Sequence, residues 1–527
     1  AGFRQAADAD LQAVVLRTAI AAVLQSWQQS HALGVMITAS HNDESYNGVK
    51  MADVHGGMLG PVGEQMAVYV ANERHYVATW EYIAQARRRL AKTNTRNSTA
   101  VVHVGRDTRV HSPTFRNILV QMILALGGRV VDHGICTTPM LHHAVLHDNF
   151  VLHLPAVIPP RPNVGGYLDL VAYTYLALCA TASPVVSRPT LGYLALQALC
   201  ARLQALGMSA GKQILPTNGP GMGPLNEGCG SEYVQKEQQP PRWYEKATSG
   251  TNYCAALDGD ADRIVFFAQT TKTESGAALK LLDGDKISCL LCQFIQEQLV
   301  RLESYDIPIR LGVVQTAYAN GASTTVLQSL VGASNVLIAK TGVKHVHHAA
   351  HKFDIGVYFE SNGHGTIIFG PNFYKAVALL APKVKENDDA VVALKRLQLL
   401  PSLVNQAVGD ALSDLLLVDA ILTLQGRSLD DWYHMYQDSP SRQSKVMVPD
   451  RTVIQTNDNE TQCTQPVGLQ QELDKAMQAV GGRTFVRPSG TEDVVRVYAE
   501  GPSQTAADLL AKKAEQIVQR FTMPSKM

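Results

Sequence analysis

Residues 253–268 read Tyr253-Cys254-Ala255-Ala256-Leu257-Asp258-Gly259-Asp260-Ala261-Asp262-Arg263-Ile264-Val265-Phe266-Phe267-Ala268. Two short apolar runs flank a polar turn, which predicts a strand-loop-strand unit. Three acids held between hydrophobic strands repel one another unless something positive sits among them. Carboxylates at i, i+2 and i+4 can converge on one hard cation through oxygen, with the small Gly259 and Ala261 letting the loop curl. That donor set points to Mg2+. An EF-hand calcium loop fails on two positions, because Arg263 stands where its glycine belongs and Gln269 where its twelfth-residue glutamate belongs.

Around this unit the chain alternates between helical and short apolar segments. Residues 10–28 are rich in Ala and Leu and predict a helix, followed by a strand from Gly34 to Ile37 that ends in Thr38-Ala39-Ser40-His41-Asn42. A second strand, Ala100 to Val104, runs into Gly105-Arg106-Asp107-Thr108-Arg109. The stretches 127–135, 311–318, 335–342 and 353–360 repeat the pattern, and Pro382 to Pro401 reads as helix. Such alternation predicts mixed α/β domains with buried strands. Boundaries are expected near 180, near 285 and near 405, beyond which the composition shifts to a smaller α+β domain.

With 527 residues there is room for three or four domains at a prior of about 150 residues each. Apolar residues make up 46%, and Lys+Arg and Asp+Glu both number 46, so the net charge is zero. No overall basic field exists to hold nucleic acid or an anionic bilayer, and an anionic ligand must be caught by a local cluster. A mean hydropathy of −0.04 excludes global disorder. The longest apolar stretch, Leu170 to Ala182, is 13 residues, short of the roughly 20 that a spanning helix needs. Eight scattered Cys suit a reducing compartment, and Cys289-x-x-Cys292, with its apolar middle, reads as core packing. Cytoplasmic residence is the expectation. The final Ser525-Lys526-Met527 resembles the S-K-L import address with Met for Leu, which makes peroxisomes or glycosomes the alternative. The opening Ala1-Gly2-Phe3-Arg4 fits no secretory leader, and the missing Met predicts that a short leading segment is absent.

Three further clusters carry chemistry. Ser40 is followed by His41, but adjacent side chains point apart and no G-x-S-x-G elbow surrounds them, so a hydrolase nucleophile is disfavoured. Beside a triple-Asp loop the serine reads as a phosphorylated residue whose phosphate shares the metal. Arg487-Pro488-Ser489-Gly490-Thr491, with Arg496, combines two guanidinium forks, two hydroxyls and a close-approach glycine, a nest for a dianionic phosphate. Glu360-Ser361-Asn362-Gly363-His364-Gly365 follows an apolar strand with donors and acceptors suited to sugar hydroxyls, though alone it is equally a Gly-rich turn. His345, His347, His348 and His351 read as a solvated or packed helix. Neither G-x-x-x-x-G-K nor a strand-linked G-x-G-x-x-G occurs, so phosphate transfer proceeds without a bound nucleotide.

A serine loop, a triple-Asp loop, a sugar loop and a C-terminal phosphate nest, in that order, resemble the α-D-phosphohexomutase superfamily. The order is diagnostic within it, because Ser40 precedes Gly105-Arg106-Asp107-Thr108-Arg109, which resembles the phosphoacetylglucosamine mutase branch. The resemblance implies an α/β fold of four domains around a central cleft, three related mixed α/β domains (1–180, 181–285, 286–404) and a smaller α+β domain (405–527). It implies interconversion of N-acetylglucosamine 6-phosphate and 1-phosphate through a phosphoserine and a 1,6-bisphosphate, on the path to UDP-N-acetylglucosamine. Phosphoglucomutase or phosphomannomutase activity, or non-catalytic phosphosugar binding, are the alternatives. Carried over by position, Ser40, Asp258, Asp260 and Asp262 would hold Mg2+. His41, Lys50, Arg263 and His364 would join Ser40 at the reacting phosphoryl group. Arg4, Glu360, Ser361, Asn362, Arg487, Pro488, Ser489, Gly490, Thr491 and Arg496 would bind the phosphosugar. Asp43 replaces a customary Pro, which loosens the serine loop, and Ser361 a customary Ala. Expected partners are the phosphosugar and its bisphosphate, with no nucleic acid and no membrane, in a monomer or weak homodimer.

Overall fold

The computed structural model describes residues 2–72, 81, 84–85, 88, 99–150, 158–181, 189–190, 194–208, 225–242, 253–269, 279–385, 389–490 and 492–522. Thr491, Pro184, residues 218–224 and Ser525-Lys526-Met527 lie outside the described residues. Two compact units emerge: the first comprises Ala1–Asp283, His364–Thr366 and Val391–Leu429, the second Gly284–Gly363, Ile367–Ala390 and Asp430–Met527.

In the first unit, Asp8 accepts the Leu11 amide at 3.1 Å and starts a helix over Ala9–Gln29, which Ser30 ends at φ 55°. Leu11, Val15, Ala19, Ala22 and Val23 bury the helix against a five-stranded sheet. Its strands lie in the order Gly2–Ala6, Tyr46–Ala52, Leu33–Ile37, Val101–Arg106, Arg129–Ile135. Leu33–Ile37 is central, antiparallel to Tyr46–Ala52 and parallel to Val101–Arg106. A strand covered on both faces must be apolar throughout, which is why LGVMI shows no alternation and is buried along its length. Each large side chain there contributes about 1.5–3 kcal/mol. Its carboxyl end delivers the Thr38–Asn42 loop, where open α/β sheets present ligand sites.

A second sheet orders Pro189–Thr190, Tyr253–Leu257, Ile264–Gln269 and Leu279–Leu282, and its central hairpin pairs Leu257 with Ile264 across the triple-Asp turn. The buried helix Ala411–Gln425, capped by Asp410, begins against that turn, with the Ala411 amide donating to the Ala261 carbonyl at 3.0 Å.

The second unit holds a four-stranded sheet in the order Val336–Ala339, Leu311–Thr316, Ile355–Phe359, Gly365–Phe369, and an antiparallel three-stranded sheet in the order Ser441–Met447, Val494–Glu500, Arg483–Pro488. Leu469, Leu473, Leu510, Ala514 and Val518, from helices Leu469–Val480 and Gln504–Thr522, pack on Val486, Val495 and Val497 of the latter.

Mixed α/β architecture is therefore what the chain adopts. Cys289 and Cys292 are buried in the helix Gly284–Val300, as core packing requires. The helix expected over 382–401 is shorter at its start, running over Asp389–Leu403. The preceding helix, Pro371–Leu380, ends at Ala381, and Pro382, lacking an amide proton, cannot prolong it. Among the described residues no helix is long and apolar enough to cross a membrane.

Candidate active site

Ser40 stands in the loop after Leu33–Ile37, buried, with a left-handed backbone at φ 53°. A non-glycine residue there costs on the order of 1 kcal/mol and persists only where its surroundings dictate it. Here the Ser40 amide donates to Thr38 Oγ1 at 3.0 Å, while the Ser40 carbonyl accepts from Arg109 Nη2 at 3.2 Å and Asn226 Nδ2 at 2.7 Å. The same two donors reach the Asn42 carbonyl at 2.7 and 2.9 Å. Arg109 is buried and ion-paired with Asp107, whose Oδ1 accepts from Ser112 Oγ at 2.6 Å.

Ser40 Oγ donates to Asp258 Oδ2 at 2.8 Å. The turn that carries Asp258 is fixed from within, since Asp258 Oδ1 accepts the Asp262 and Arg263 amides, both at 3.1 Å. Gly259 is obligatory, because a Cβ on it would lie 2.5 Å from the Ser40 carbonyl oxygen. Thr138, in the first turn of the helix Thr138–Asn149, hydrogen-bonds the Asp260 carboxylate through its hydroxyl and the Asp260 carbonyl through its amide. Lys50 Nζ, from the strand beside Ser40, reaches Asp260 Oδ2 at 2.6 Å and Asp262 Oδ2 at 2.7 Å. Arg263 Nε is 3.9 Å from Asp258 Oδ2, and its Nη1 is 3.4 Å from Glu232 Oε2, which also faces His41 Nε2 at 3.3 Å. His364 Nδ1 is 3.5 Å from Asp262 Oδ1, and Arg4 Nη1 donates to Asn42 Oδ1 at 3.2 Å.

The charges are strongly coupled. Burial, then the neighbouring Asp262 and Asp260, push the Asp258 carboxyl well above its ordinary value. Burial acts the same way on Asp262, but the Lys50 ammonium, with His364 and Arg263, overcomes it and holds that carboxyl well below. Burial alone would lower the Lys50 pKa, yet Asp260, Asp262 and Asp258 raise it, so the amine stays charged. Burial, then the Arg263 charge, bring His41 down to about 4, which leaves the ring neutral at neutral pH.

One oxygen from each of Asp258, Asp260 and Asp262 lies within 4.8 Å of the others, all three residues being buried. Asp260 Oδ1 is buried with no hydrogen-bond partner. Asp262 Oδ1 is likewise buried without one, and converging oxygen donors left unsatisfied fit a hard divalent cation.

The second unit carries the remaining loops. Glu360 Oε1 accepts the Gly342 amide at 3.2 Å, Asn362 Nδ2 is 3.5 Å from Glu360 Oε2, and the Ser361 carbonyl accepts the Gly284 amide at 3.4 Å. Arg487 and Arg496 are directly opposed across the strand pair, so both guanidinium groups leave the same face. Arg487 Nε donates to Tyr318 Oη at 3.1 Å, and its Nη1 is 3.5 Å from Glu460 Oε1. Pro488 ends the strand, the Ser489 amide donates to the Val494 carbonyl at 2.9 Å, and a Cβ on Gly490 would meet nothing within 4 Å.

Ser40, His41, Lys50, Asp258, Asp260, Asp262, Arg263, His364 and Arg4 thus gather in the first unit, and Glu360, Ser361, Asn362, Arg487, Pro488, Ser489, Gly490 and Arg496 belong to the second. Sequence reading did not single out Arg109, Asn226, Thr138 or Glu232 around the serine, nor Tyr318 and Glu460 beside Arg487. The signals nearest to them were the Gly105–Arg109 run and the Asn226 that closes a Gly-rich stretch.

Comparison with known proteins points one way. Residues 283–427 match the family model of phosphoacetylglucosamine mutase AMG1, domain III. Residues 451–517 match the phosphoglucomutase/phosphomannomutase C-terminal domain, and 6–76 and 68–158 the alpha/beta/alpha domain I of that group. Phosphoacetylglucosamine mutase of Homo sapiens is 39% identical over 97% of this chain and 91% of its own length. Aspergillus fumigatus N-acetylphosphoglucosamine mutase, solved in complex with GlcNAc-6P and magnesium, matches with a TM-score of 0.88 at 35% identity, over 99% of this chain and 95% of that one. A variant of the Aspergillus fumigatus enzyme in complex with glucose 1,6-bisphosphate matches at 0.84 and 34% identity, over 99% and 94%. Identity at this level along the whole chain, together with a buried serine hydrogen-bonded into an acidic triad, means that the chain belongs to the phosphoacetylglucosamine mutase family of the α-D-phosphohexomutase superfamily.

Proposed function

We infer that this chain interconverts N-acetylglucosamine 6-phosphate and N-acetylglucosamine 1-phosphate through the 1,6-bisphosphate, with Ser40 as phosphocarrier, in the supply of UDP-N-acetylglucosamine. The observation that carries this reading is the 2.8 Å hydrogen bond from Ser40 Oγ to Asp258 within a triad that Lys50 already bridges. Asp258, Asp260, Asp262 and an oxygen on Ser40 would hold Mg2+, which would supply neutralisation of phosphoryl charge during transfer.

The residues of the chain do the rest. Arg109 and Asn226 hold the Ser40 peptide, so that Oγ faces the triad without reorganising at each turnover. Lys50 remains protonated and places a fixed positive charge beside the reacting group. In the first half-reaction the phosphorus–Ser40 Oγ bond breaks as a bond forms to the free sugar hydroxyl. The sugar proton is released and Ser40 Oγ regains one. The bisphosphate turns round, Ser40 Oγ attacks its other phosphoryl group, and the proton count reverses. Arg487, Arg496, Ser489 and Gly490 hold the phosphate that is not reacting, whichever end it occupies. Glu360, Ser361 and Asn362 bind sugar hydroxyls or the acetamide. Zero net charge supports a small-molecule partner rather than nucleic acid or membrane, and the reading is of a monomer or weak homodimer.

A coupled assay with Mg2+, N-acetylglucosamine 6-phosphate and a bisphosphate primer tests this. Phosphoglucomutase or phosphomannomutase activity replaces the reading if glucose or mannose phosphates turn over as well or better. Failure of labelled phosphate to pass from Ser40 to sugar leaves only phosphosugar binding.

A further inference from the structure

The helix Val343–Ala350 and its C-cap, His351, carry a histidine pair that phosphoryl transfer does not use. His347 and His351 are one turn apart, and their Nε2 atoms lie 3.3 Å from each other. Two nitrogens each about 2.0–2.1 Å from one ion, at a tetrahedral angle, stand roughly 3.3 Å apart. His347 Nδ1 is 3.0 Å from the hydroxyl of Tyr358, a buried residue of the strand Ile355–Phe359. With Nδ1–H donating to that hydroxyl, the Nε2 lone pair of His347 faces away from the core towards His351. Histidines that bind metals are oriented by this kind of outer hydrogen bond.

We propose that His347 and His351 form a chelating site for a borderline divalent transition metal of the Zn2+ or Ni2+ class, separate from the oxygen site at Asp258, Asp260 and Asp262. Without an ion, and with His347 Nδ1–H on the Tyr358 hydroxyl, the 3.3 Å contact would be an N–H···N bond from His351 to His347. Ion entry requires that His351 move its proton from Nε2 to Nδ1, with no change in net protonation. Imidazole nitrogens suit Zn2+, Ni2+ and Cu2+, whereas Mg2+ prefers oxygen, so the two sites sort ions by donor chemistry. The helix expected from sequence is present, with His351 as its C-cap, and the structure adds that the Nε2 atoms of His347 and His351 converge.

The test uses the untagged full chain saturated with Mg2+ and titrated calorimetrically with Ni2+, alongside thermal unfolding with and without Ni2+. The wild type should bind Ni2+ and gain Tm. His351→Gln, at an exposed position, should lose that gain and weaken binding by roughly tenfold or more, as should His347→Gln. Tyr358→Phe, which keeps the ring and removes the hydroxyl, should weaken Ni2+ binding while leaving the metal-free Tm near wild type. Unchanged Ni2+ affinity and Tm gain in His351→Gln overturn the proposal, as does a wild type that takes up no Ni2+.

Discussion

Lys50 Nζ lies 2.6 Å from Asp260 Oδ2, so the metal-binding triad carries its own internal cation. The same ammonium is 2.7 Å from Asp262 Oδ2. Lys50→Met leaves three buried carboxylates facing one another without it. We expect a loss of about 2–3 kcal/mol in EDTA, below the 3–5 typical of breaking a fully buried pair because Lys50 keeps some contact with solvent. Saturating Mg2+ should restore much of it. Equal Tm losses with EDTA and with Mg2+ would show that Lys50 does not balance the triad.

Ser40→Ala removes the phosphocarrier and one hydrogen bond to Asp258. Turnover should vanish and no labelled phosphate should be retained, while Tm changes by only a few degrees. Ser40→Gly should be equally inactive but more stable than Ser40→Ala by roughly 1 kcal/mol, because φ is 53° at this position and glycine adopts it without strain. Substantial mutase rates in either variant would remove Ser40 from the mechanism.

The three acids were legible because their alternation between two apolar runs survives in one dimension. The central strand was legible because an unbroken LGVMI can only be covered on both faces. Arg109 and Asn226 were not, since they meet the Ser40 carbonyl from 69 and 186 residues away. Their job, holding one peptide at positive φ, leaves no local pattern. The loop was expected to be loosened by Asp43 in place of Pro, yet Asp43 Oδ1 accepts the Ser45 amide at 2.9 Å and the Ser45 hydroxyl at 2.7 Å, an Asx turn that supplies a local constraint of its own. The histidine run was legible as a helix, and its four-residue spacing puts His347 and His351 on one face; the 3.3 Å approach of their Nε2 atoms depends on rotamers that the sequence does not record.

Gly259→Ala tests the contact between the two loops. Its Cβ would lie 2.5 Å from the Ser40 carbonyl oxygen and 3.1 Å from Asn226 Nδ2. Backbone must yield, and the serine loop is the part that moves. The expected cost is about 1–3 kcal/mol in stability and on the order of a hundredfold in kcat, with a smaller change in KM. A variant with wild-type kcat would mean that the Ser40 position tolerates displacement.

Several histidines of the first unit are kept neutral by burial. His142, which donates from Nδ1 to the Gly56 carbonyl at 2.6 Å, is brought down to about 4, and burial likewise brings His133 and His147 to about 4. A folded pKa below the unfolded value means that the unfolded chain binds more protons between pH 6.5 and 4. The stabilisation is therefore fully present above 6.5 and is lost as pH falls towards 4. His142→Asn should flatten part of that slope in urea unfolding measured at several pH values. A slope identical to wild type would mean that His142 is not among the groups that set it.

Substrate choice should depend on Asn362. An acetamido group adds a donor, an acceptor and a methyl to the sugar, so a site built for it needs polar partners that a glucose phosphate would leave unpaired. Sites that hydrogen-bond a substrate group discriminate strongly against the analogue that lacks it. Asn362 offers both a donor and an acceptor beside Glu360, whose carboxylate is itself held by the Gly342 amide. We expect higher kcat/KM for N-acetylglucosamine phosphate than for glucose phosphate, and a loss of about 1–3 kcal/mol in transition-state binding for Asn362→Ala. If Asn362 meets the acetamide, that loss falls on the acetylated substrate alone and the preference narrows; if it meets a ring hydroxyl, both substrates suffer and the preference stands. Wild-type use of glucose 1-phosphate at an equal or better rate would contradict the acetamido specificity while leaving the Ser40 and triad chemistry intact.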